Sequence, residues 1–213
     1  LRKILEHRTQ ELIEYQNLSY AKEYMSFVGN IFEKEQKTRS SSELSQNVAK
    51  YLFKLMATKD EYEVARLSLK AELDSAINKE FGKSAKISYM LHPPFLKAME
   101  NIPILNMLPG VKSKLALGSW FKVFYIMLKN MKFLRGTPFD FMAWFSNDVR
   151  KADKKALDHY KNVIMKNIDE IGNGKYQDLK DFSVLPDIIR GYEEVRLETM
   201  TEFYQKSDNL FKS

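Results

Sequence analysis

Residues that form turns are scarce in this chain: it has only eight glycines and six prolines among 213 residues. A chain that turns so rarely must fold into long elements, and long elements in globular proteins are helices. Many short strands would require more turn residues than this. The sequence therefore predicts a mainly α fold, an irregular helical bundle of long helices with at most one or two short strands.

Apolar residues recur at helical spacing along most of the chain. A capping-box pattern, Ser40 followed by Glu43, predicts a helix start, and Thr58 followed by Glu61 predicts a new start or a bend. Helices are expected over residues 3–36, 40–58, 58–81, 114–133, 147–171 and from 193 towards 211, and residues 86–91 are the best strand candidate. Pro103, Pro109 and Gly110 indicate an irregular loop over 101–113.

Two aromatic groups are expected to pack inside the fold. Trp120 falls on the apolar stripe predicted for the helix over 114–133. Phe139, Phe141, Trp144 and Phe145 form a dense aromatic cluster, which is more typical of packing than of a stacking platform. By contrast, His7 and His159 lie in charged helical stretches and are expected to face solvent.

The chain shows no internal repeat and no long linker, so a single helical domain over 1–213 is expected. It begins at Leu1 inside a charged helical pattern, which suggests the excised C-terminal part of a larger chain. No apolar run has the length of a membrane span, and no signal-peptide pattern opens the sequence. Together with the absence of cysteine, these features favour a cytoplasmic location.

Recognisable catalytic and metal-binding patterns are absent from the sequence. Without cysteine, the segment cannot hold an iron–sulfur cluster or a thiolate-bound zinc ion. His7, His92 and His159 are far apart, and none has metalloprotease spacing. No P-loop, GxGxxG or GxSxG motif occurs. We therefore expect no catalytic residue, no metal and no cofactor in this segment.

The net charge of +6 is concentrated in residues 101–139, which carry six basic and no acidic groups. A basic amphipathic helix at 112–135 could bind a membrane surface or nucleic acid. The nearly neutral flanking segments argue against a broad basic footprint. A core helix with a solvated lysine edge is the favoured interpretation, and neither nucleic acid nor membrane is an expected partner.

The stretch 48–67 is the most distinctive in the chain. Glu63 is four residues from Lys59 and three from Arg66, so these charges could form a ladder on a helix surface. An exposed ladder is the favoured interpretation, but buried charges would have to be paired or bind a charged ligand. The basic residues that could line an anion site are Lys54, Lys59, Arg66, Arg135 and Arg190.

Residues 49–67, AKYLFKLMATKDEYEVARL, resemble the C-terminal domain of fused, single-chain indolepyruvate ferredoxin oxidoreductases. LRGTPFD at 134–140 is a second specific match. EYQNLSYAKEY at 14–24, HPPF at 92–95 and LPDIIRGYEEVR at 185–196 are supportive. The sequence departs from the family at Glu193 and Glu194, where members have Gly and His after the aromatic residue, here Tyr192.

The resemblance implies a parent enzyme of the 2-oxoacid:ferredoxin oxidoreductase family. Such an enzyme uses thiamine diphosphate, Mg and iron–sulfur clusters, held in other domains. It decarboxylates an aryl-2-oxoacid oxidatively, forms the acyl-CoA from CoA and reduces ferredoxin. The partners implied for this segment are the catalytic domains of the same chain and a possible second copy of the parent.

Two roles for the segment remain open. The favoured role is a non-catalytic structural and assembly domain, and the alternative is a domain whose basic residues help to bind CoA or the oxoacid.

Overall fold

A computed structural model of the chain describes residues 1–82, 88–91, 115–145 and 147–211. These residues gather into two compact units. Unit 1 comprises Leu1–Thr58 and Asp148–Ser213, and unit 2 comprises Lys59–Asn147. The sequence of unit 2 is thus inserted between the two segments of unit 1. The sequence predicts a single domain over the whole of 1–213. The two junctions of unit 2 contain neither glycine nor proline, so composition does not mark them.

Unit 1 is built from six α-helices among the described residues. They are α1 (Arg2–Tyr15), α2 (Leu18–Thr38), α3 (Glu43–Met56), α8 (Asn147–Asn167), α9 (Tyr176–Val184) and α10 (Glu193–Leu210), with 3-10 turns at Ile168–Asn173 and Leu185–Ile188. Helix α2 packs against α1 and α3, and α9 packs against α3. The apolar stripes of these helices meet in one core that includes Leu12, Val28, Leu52, Ile164, Phe182 and Phe203.

Buried tyrosines in this core donate their hydroxyl groups to backbone carbonyls. Tyr24 Oη donates to the Ala49 carbonyl at 2.8 Å, and Tyr160 Oη donates to the Ser183 carbonyl at 2.9 Å. A buried phenol without a partner would be costly, so each of these bonds fixes the spacing of the helices it joins.

Several predicted helix boundaries are wrong. The helix expected over 3–36 is broken, because Asn17 is extended and accepts a hydrogen bond from the Tyr20 N–H at 2.9 Å, which starts α2. The Ser40–Glu43 capping box is not used either, since α3 begins at Glu43 after Ser42. The free N–H groups of Leu44 and Ser45 instead donate to the Glu35 carboxylate of α2, at 3.0 and 2.9 Å.

Unit 2 contains α4 (Glu61–Ser68), α5 (Ala71–Phe81), α6 (Lys122–Asn130) and α7 (Phe141–Phe145) within its described residues, with 3-10 turns at Ser119–Phe121 and Met131–Leu134. Helix α4 packs on α6. Their small core consists of Tyr62, Ala65, Phe121, Tyr125 and Leu128. The new helix start expected near Thr58 is present, but its N-cap is Asp60, which accepts from the Glu63 N–H at 2.9 Å.

A short antiparallel ribbon joins β1 (Tyr89–Leu91) to β2 (Leu115–Leu117), with Tyr89 opposite Leu117. The strand predicted over 86–91 is thus present at its C-terminal end, while residues 86 and 87 lie outside the described residues. The helix predicted to start at 114 begins later, because a strand and a 3-10 turn precede α6. The loop expected over 101–113, His92 and the HPPF segment also lie outside the described residues. The prediction of a mainly α fold with at most one or two short strands is confirmed.

The expected burial is wrong for Trp120 and for the described members of the aromatic cluster, although Phe121 of the same predicted stripe is buried. Trp120 is 67% exposed, and Phe139 and Trp144 are also exposed. Helix α6 buries Tyr125 and Leu128, so its opposite apolar face points outwards. Hydrophobic periodicity identifies an apolar stripe but not which of two stripes is covered. The side chains of Phe141 and Phe145 lie outside the described part of the chain.

Candidate functional site

The five candidate anion-binding residues divide between the two units. Lys54 and Arg190 belong to unit 1, whereas Lys59, Arg66 and Arg135 belong to unit 2. Lys59 is exposed, and each of the other four is ion-paired with a carboxylate of its own unit.

In unit 2, Arg66 forms a two-pronged ion pair with Glu63. Arg66 Nε and Nη2 lie 2.8 Å from Glu63 Oε2 and Oε1 respectively, and both side chains are buried. Planar guanidinium and carboxylate groups match in this geometry, which gives a stronger interaction than a single exposed contact. Two of the three ladder charges, Glu63 and Arg66, are therefore inside the unit, so the preference for an exposed ladder is wrong for them, while Lys59 is exposed.

A second ion pair in unit 2 joins Arg135 to Asp60. Its Nη2 lies 2.8 Å from Asp60 Oδ1, its Nε also donates to this carboxylate, and both side chains are largely buried. The guanidinium also lies over the Tyr62 ring, 5.5 Å from its centroid. Because Asp60 is the N-cap of α4, Arg135 ties the segment after α6 to the start of α4.

Asp140 makes a second connection between the start of α4 and the segment after α6. Its Oδ1 accepts the Tyr62 hydroxyl at 2.9 Å and the Ala143 N–H at 3.2 Å, and its Oδ2 accepts the Gly136 N–H at 3.0 Å. Only 1% of Asp140 is exposed. Gly136 has a φ of +76°, a left-handed conformation that glycine adopts without strain. The start of α4 and residues 134–140 therefore hold each other through buried polar groups.

In unit 1, the other two candidate residues, Lys54 and Arg190, both contact Asp187. Lys54 Nζ lies 3.1 Å from the Asp187 carbonyl and 3.5 Å from its Oδ1, and Arg190 Nη2 lies 2.7 Å from its Oδ2. Burial lowers the pKa of Lys54, an effect that the Asp187 charge partly offsets. Arg190 is the more accessible of the two cations, with 70% of its side chain exposed.

Sequence reasoning missed a further ion pair in unit 1, between Arg196 and Asp153. Arg196 Nη2 lies 2.6 Å from Asp153 Oδ1, and both side chains are largely buried. Burial raises the pKa of Asp153, although the hydrogen bond from Arg196 opposes the shift. A signal was present in the sequence, because Asp153 lies three and seven residues before the buried Ala156 and Tyr160, on the apolar stripe of α8.

His159 and Ser207 form a hydrogen bond that resembles a base–nucleophile pair. Nε2 of His159 lies 2.8 Å from Ser207 Oγ, and the imidazole packs edge-on against Phe203 and Tyr204. His159 is half-buried, so the expectation that it faces solvent is wrong, and this burial lowers its pKa. Ser207 is only 2% exposed, so a substrate cannot reach its hydroxyl and the bond serves packing.

An exposed apolar face on unit 2 is the main surface feature that the periodicity did not reveal. We call it the α6 face. It consists of Trp120, Val123, Ile126, Met127 and Phe133, all of which are exposed. Trp120, Val123 and Met127 have the i, i+3, i+7 spacing of one helical stripe, opposite to the stripe that contacts α4.

A shallow groove of about 560 Å³ lies beside α1 and α2 in unit 1, lined mainly by apolar side chains such as Leu5, Met25 and Phe32. Its two charged residues, Arg2 and Glu6, are paired with each other at 2.8 Å. Across the described ranges, no group of three or more His, Asp or Glu side chains could hold a metal ion. In the same ranges, no helix combines the length and apolar character needed to cross a bilayer.

The fold and these contacts define a mainly α protein of two compact units, in which the buried charged groups discussed above are ion-paired or hydrogen-bonded within the chain. The chain belongs to the family described as “Family of unknown function (DUF6537)”, which it matches over residues 1–209. No curated protein and no solved structure matches it.

Proposed function

We propose that this chain is a non-catalytic structural and assembly domain of a larger indolepyruvate ferredoxin oxidoreductase. In this proposal the catalytic domains of the same parent chain bind thiamine diphosphate, Mg, the iron–sulfur clusters and CoA. The parent would oxidise an aryl-2-oxoacid in the cytoplasm and pass electrons to ferredoxin. The absence of cysteine fits this division, because the present chain has no thiolate to ligate a cluster.

The observation that carries this proposal is the contact between the two most specific stretches of the resemblance. Residues 59–67 and 134–140 meet through the Arg135–Asp60 ion pair and the hydrogen bond from Tyr62 to Asp140. Arg66 is paired with Glu63 in the same unit. Because these charged groups are buried and bind one another, the stability of unit 2 accounts for them without a bound ligand.

Deletion of this segment from the parent enzyme tests the proposal. Assembly mass and oxoacid-dependent ferredoxin reduction would be recorded on the same preparation, with and without residues 1–213. A structural domain predicts that the assembly falls apart and that activity falls with it. An intact assembly with unchanged activity would contradict the proposal.

A second candidate function is that unit 1 helps to bind an anionic substrate, CoA or the oxoacid carboxylate. It is favoured by one observation, namely that Lys54 and Arg190 meet at Asp187 and that Arg190 remains exposed. Guanidinium and ammonium groups suit phosphate and carboxylate ligands. A ligand would have to compete with Asp187, which holds both cations in the structure.

Arg190→Gln in the parent separates the two functions. If Arg190 contacts substrate, KM for CoA or for the oxoacid rises while the assembly mass stays unchanged. Arg2→Gln is the matched control, because Arg2, like Arg190, is an exposed arginine paired with a carboxylate close to it in the sequence. Equal KM values for wild type and both variants would leave the structural role as the better account.

A further inference from the structure

We infer that the α6 face is a docking surface for another protein segment of the parent enzyme, one with an apolar centre and carboxylates at its edge. This inference rests on the proposed function, which makes the chain one part of a larger assembly. It adds which surface makes the contact and what chemistry the partner presents.

The apolar character of the face is the first argument. Val123 is 72% exposed and Trp120 67%, in the same stripe as Met127. Scattered apolar side chains are ordinary on protein surfaces, but a stripe that runs from a 3-10 turn into the helix that follows it, as here, marks an interaction site. Tryptophan is enriched at the energetic centres of protein interfaces, and methionine adapts to the shape of a partner.

The charge along the edge of the stripe indicates the partner's chemistry. Lys122 and Lys129 are seven residues apart, so they lie along one border of the α6 face. Lys122 Nζ is 2.7 Å from Asp74 Oδ2, while Lys129 is exposed. On the described part of the border, Asp74 neutralises Lys122, and the exposed positive charge is that of Lys129. A partner with carboxylates opposite Lys129 complements it, and such complementarity fixes the register of a contact.

A protein surface fits these features better than a lipid surface. Helix α6 has nine residues, which span about 14 Å, and interfacial helices that bind anionic lipid are rich in basic residues along their polar face. The border also contains the Asp74 carboxylate, which an anionic bilayer would repel. A second copy of the chain fits less well, because the Asp74 carboxylate at the border of its own α6 face is already paired with Lys122.

Zero-length carbodiimide coupling in the intact parent enzyme tests the inference, because it joins an amine to a carboxylate only where the two are in contact. We expect mass spectrometry to find Lys129 joined to an Asp or Glu outside residues 1–213. Val123→Glu with Met127→Glu places two carboxylates on the α6 face and should lower the yield of this link at least tenfold. Both positions are exposed, so the fold of unit 2 should be unaffected.

The matched control is Val195→Glu with Met165→Glu, the same pair of residue types at exposed positions of unit 1. It should leave the yield unchanged. The inference is overturned if Lys129 couples only within residues 1–213 or if the double variant couples as well as wild type. It is equally overturned if Lys129 couples to a second copy of the segment, or if the parent binds phosphatidylglycerol vesicles through the α6 face.

The outcomes separate the inference from the proposed function. If deletion of the segment breaks the assembly but the α6 variants leave both the mass and the link unchanged, assembly uses another surface and only the inference fails. If deletion leaves mass and activity unchanged while the link to Lys129 is present and is lost in the double variant, the surface docks without supporting assembly. In that case the proposed function fails and the inference stands.

Discussion

The carboxylate of Glu35 accepts the hydroxyl of Tyr176 at 2.8 Å, although the two residues are 141 positions apart in the sequence. Glu35 is fully buried and also accepts the N–H groups of Leu44 and Ser45 and the Ser45 hydroxyl. A side chain of α2 therefore caps α3 and is held in place by α9. One carboxylate thus links three helices of unit 1. Glu35 occupies a position on the buried stripe of α2 where the helical spacing predicts an apolar residue.

Glu35→Gln should destabilise unit 1 by about 2 kcal/mol. Hydrogen bonds to charged groups contribute about 1.5–3 kcal/mol each, and the amide NH2 of glutamine would face one of the groups that now donate to the carboxylate. Urea unfolding followed by far-UV circular dichroism measures the change. Glu33→Gln removes the same charge from an exposed position of α2 and should change stability by less than about 0.5 kcal/mol. Equal effects of the two substitutions would contradict the capping role of Glu35.

Tyr62 and Asp140 should be energetically coupled. Tyr62→Phe removes the hydroxyl that Asp140 accepts, and Asp140→Asn weakens every bond to that carboxylate. We expect each single variant to lose about 1–3 kcal/mol, with a coupling energy of about 1 kcal/mol or more in the double-mutant cycle.

Both tryptophans of the chain, Trp120 and Trp144, lie in unit 2, so their fluorescence follows the unfolding of this unit. Tyr192→Phe serves as the control for the Tyr62 substitution, since Tyr192 is exposed and belongs to unit 1. Additive losses from Tyr62→Phe and Asp140→Asn would show that the hydrogen bond between them contributes little.

Unit 1 should lose stability on mild acidification because of His159. Burial lowers the pKa of its imidazole from the ordinary value of 6.5, an effect opposed by the charge of Asp208. A group whose folded pKa is depressed contributes stability that is present above the unfolded pKa and is lost as pH falls towards the folded value. Between pH 7.5 and 5.5 the loss should remain below about 1 kcal/mol, because the ring is only partly shielded from solvent.

His159→Gln should remove this part of the pH dependence, whatever its effect on stability at a single pH. Urea unfolding at pH 7.5 and at pH 5.5 measures the slope. His7→Gln, at an exposed histidine of α1, should leave the slope as in wild type. If His159→Gln keeps the wild-type slope, other groups are responsible for the acid sensitivity.

Glu193→Gly should stabilise the start of α10. Glu193 has a φ of +48°, and it is the non-glycine residue with positive φ among the described residues. The left-handed conformation costs an L-residue about 1–2 kcal/mol, and glycine removes this cost. Glycine also gives the unfolded chain more conformational freedom, which offsets part of the gain. A gain of about 0.5–1 kcal/mol is expected from thermal or urea unfolding.

Glu194→Gly is the matched control, because Glu194 is a neighbouring exposed glutamate in α10 with an ordinary backbone. It should cost about 0.5–1 kcal/mol, as glycine does inside a helix. A loss of stability in both variants would show that the contacts of Glu193 outweigh its strain.

Much of the fold could be predicted from the sequence, because the scarcity of turn residues and the helical spacing identify most of the helices. The break at Asn17 and the cap at Asp60 depend on single side-chain hydrogen bonds, which compete with an otherwise continuous helical pattern. The capping of α3 by Glu35 could not be predicted from local sequence, because the acceptor belongs to another helix.

The sequence identified the residues of the charged cluster but not their environment. Arg66 and Arg135 were selected as cations that could face a ligand, and both are ion-paired inside unit 2. Their partners, Asp60 and Glu63, lie in the same distinctive stretch as Arg66, yet the spacing of charges on one helix is the same whether that face is buried or exposed. The exposure of Trp120 was missed for the same reason.

The position of unit 2 within the chain has a consequence for the order in which the protein is made. During synthesis, α1, α2 and α3 leave the ribosome before Lys59–Asn147, but their core partners Ile164, Phe182 and Phe203 follow only after it. When Asn147 has been added, all of unit 2 has been synthesised, whereas the second segment of unit 1, Asp148–Ser213, has not. The part of the apolar surface of α1, α2 and α3 that these later residues cover is therefore unprotected on the nascent chain, and this is the period when a chaperone contributes most.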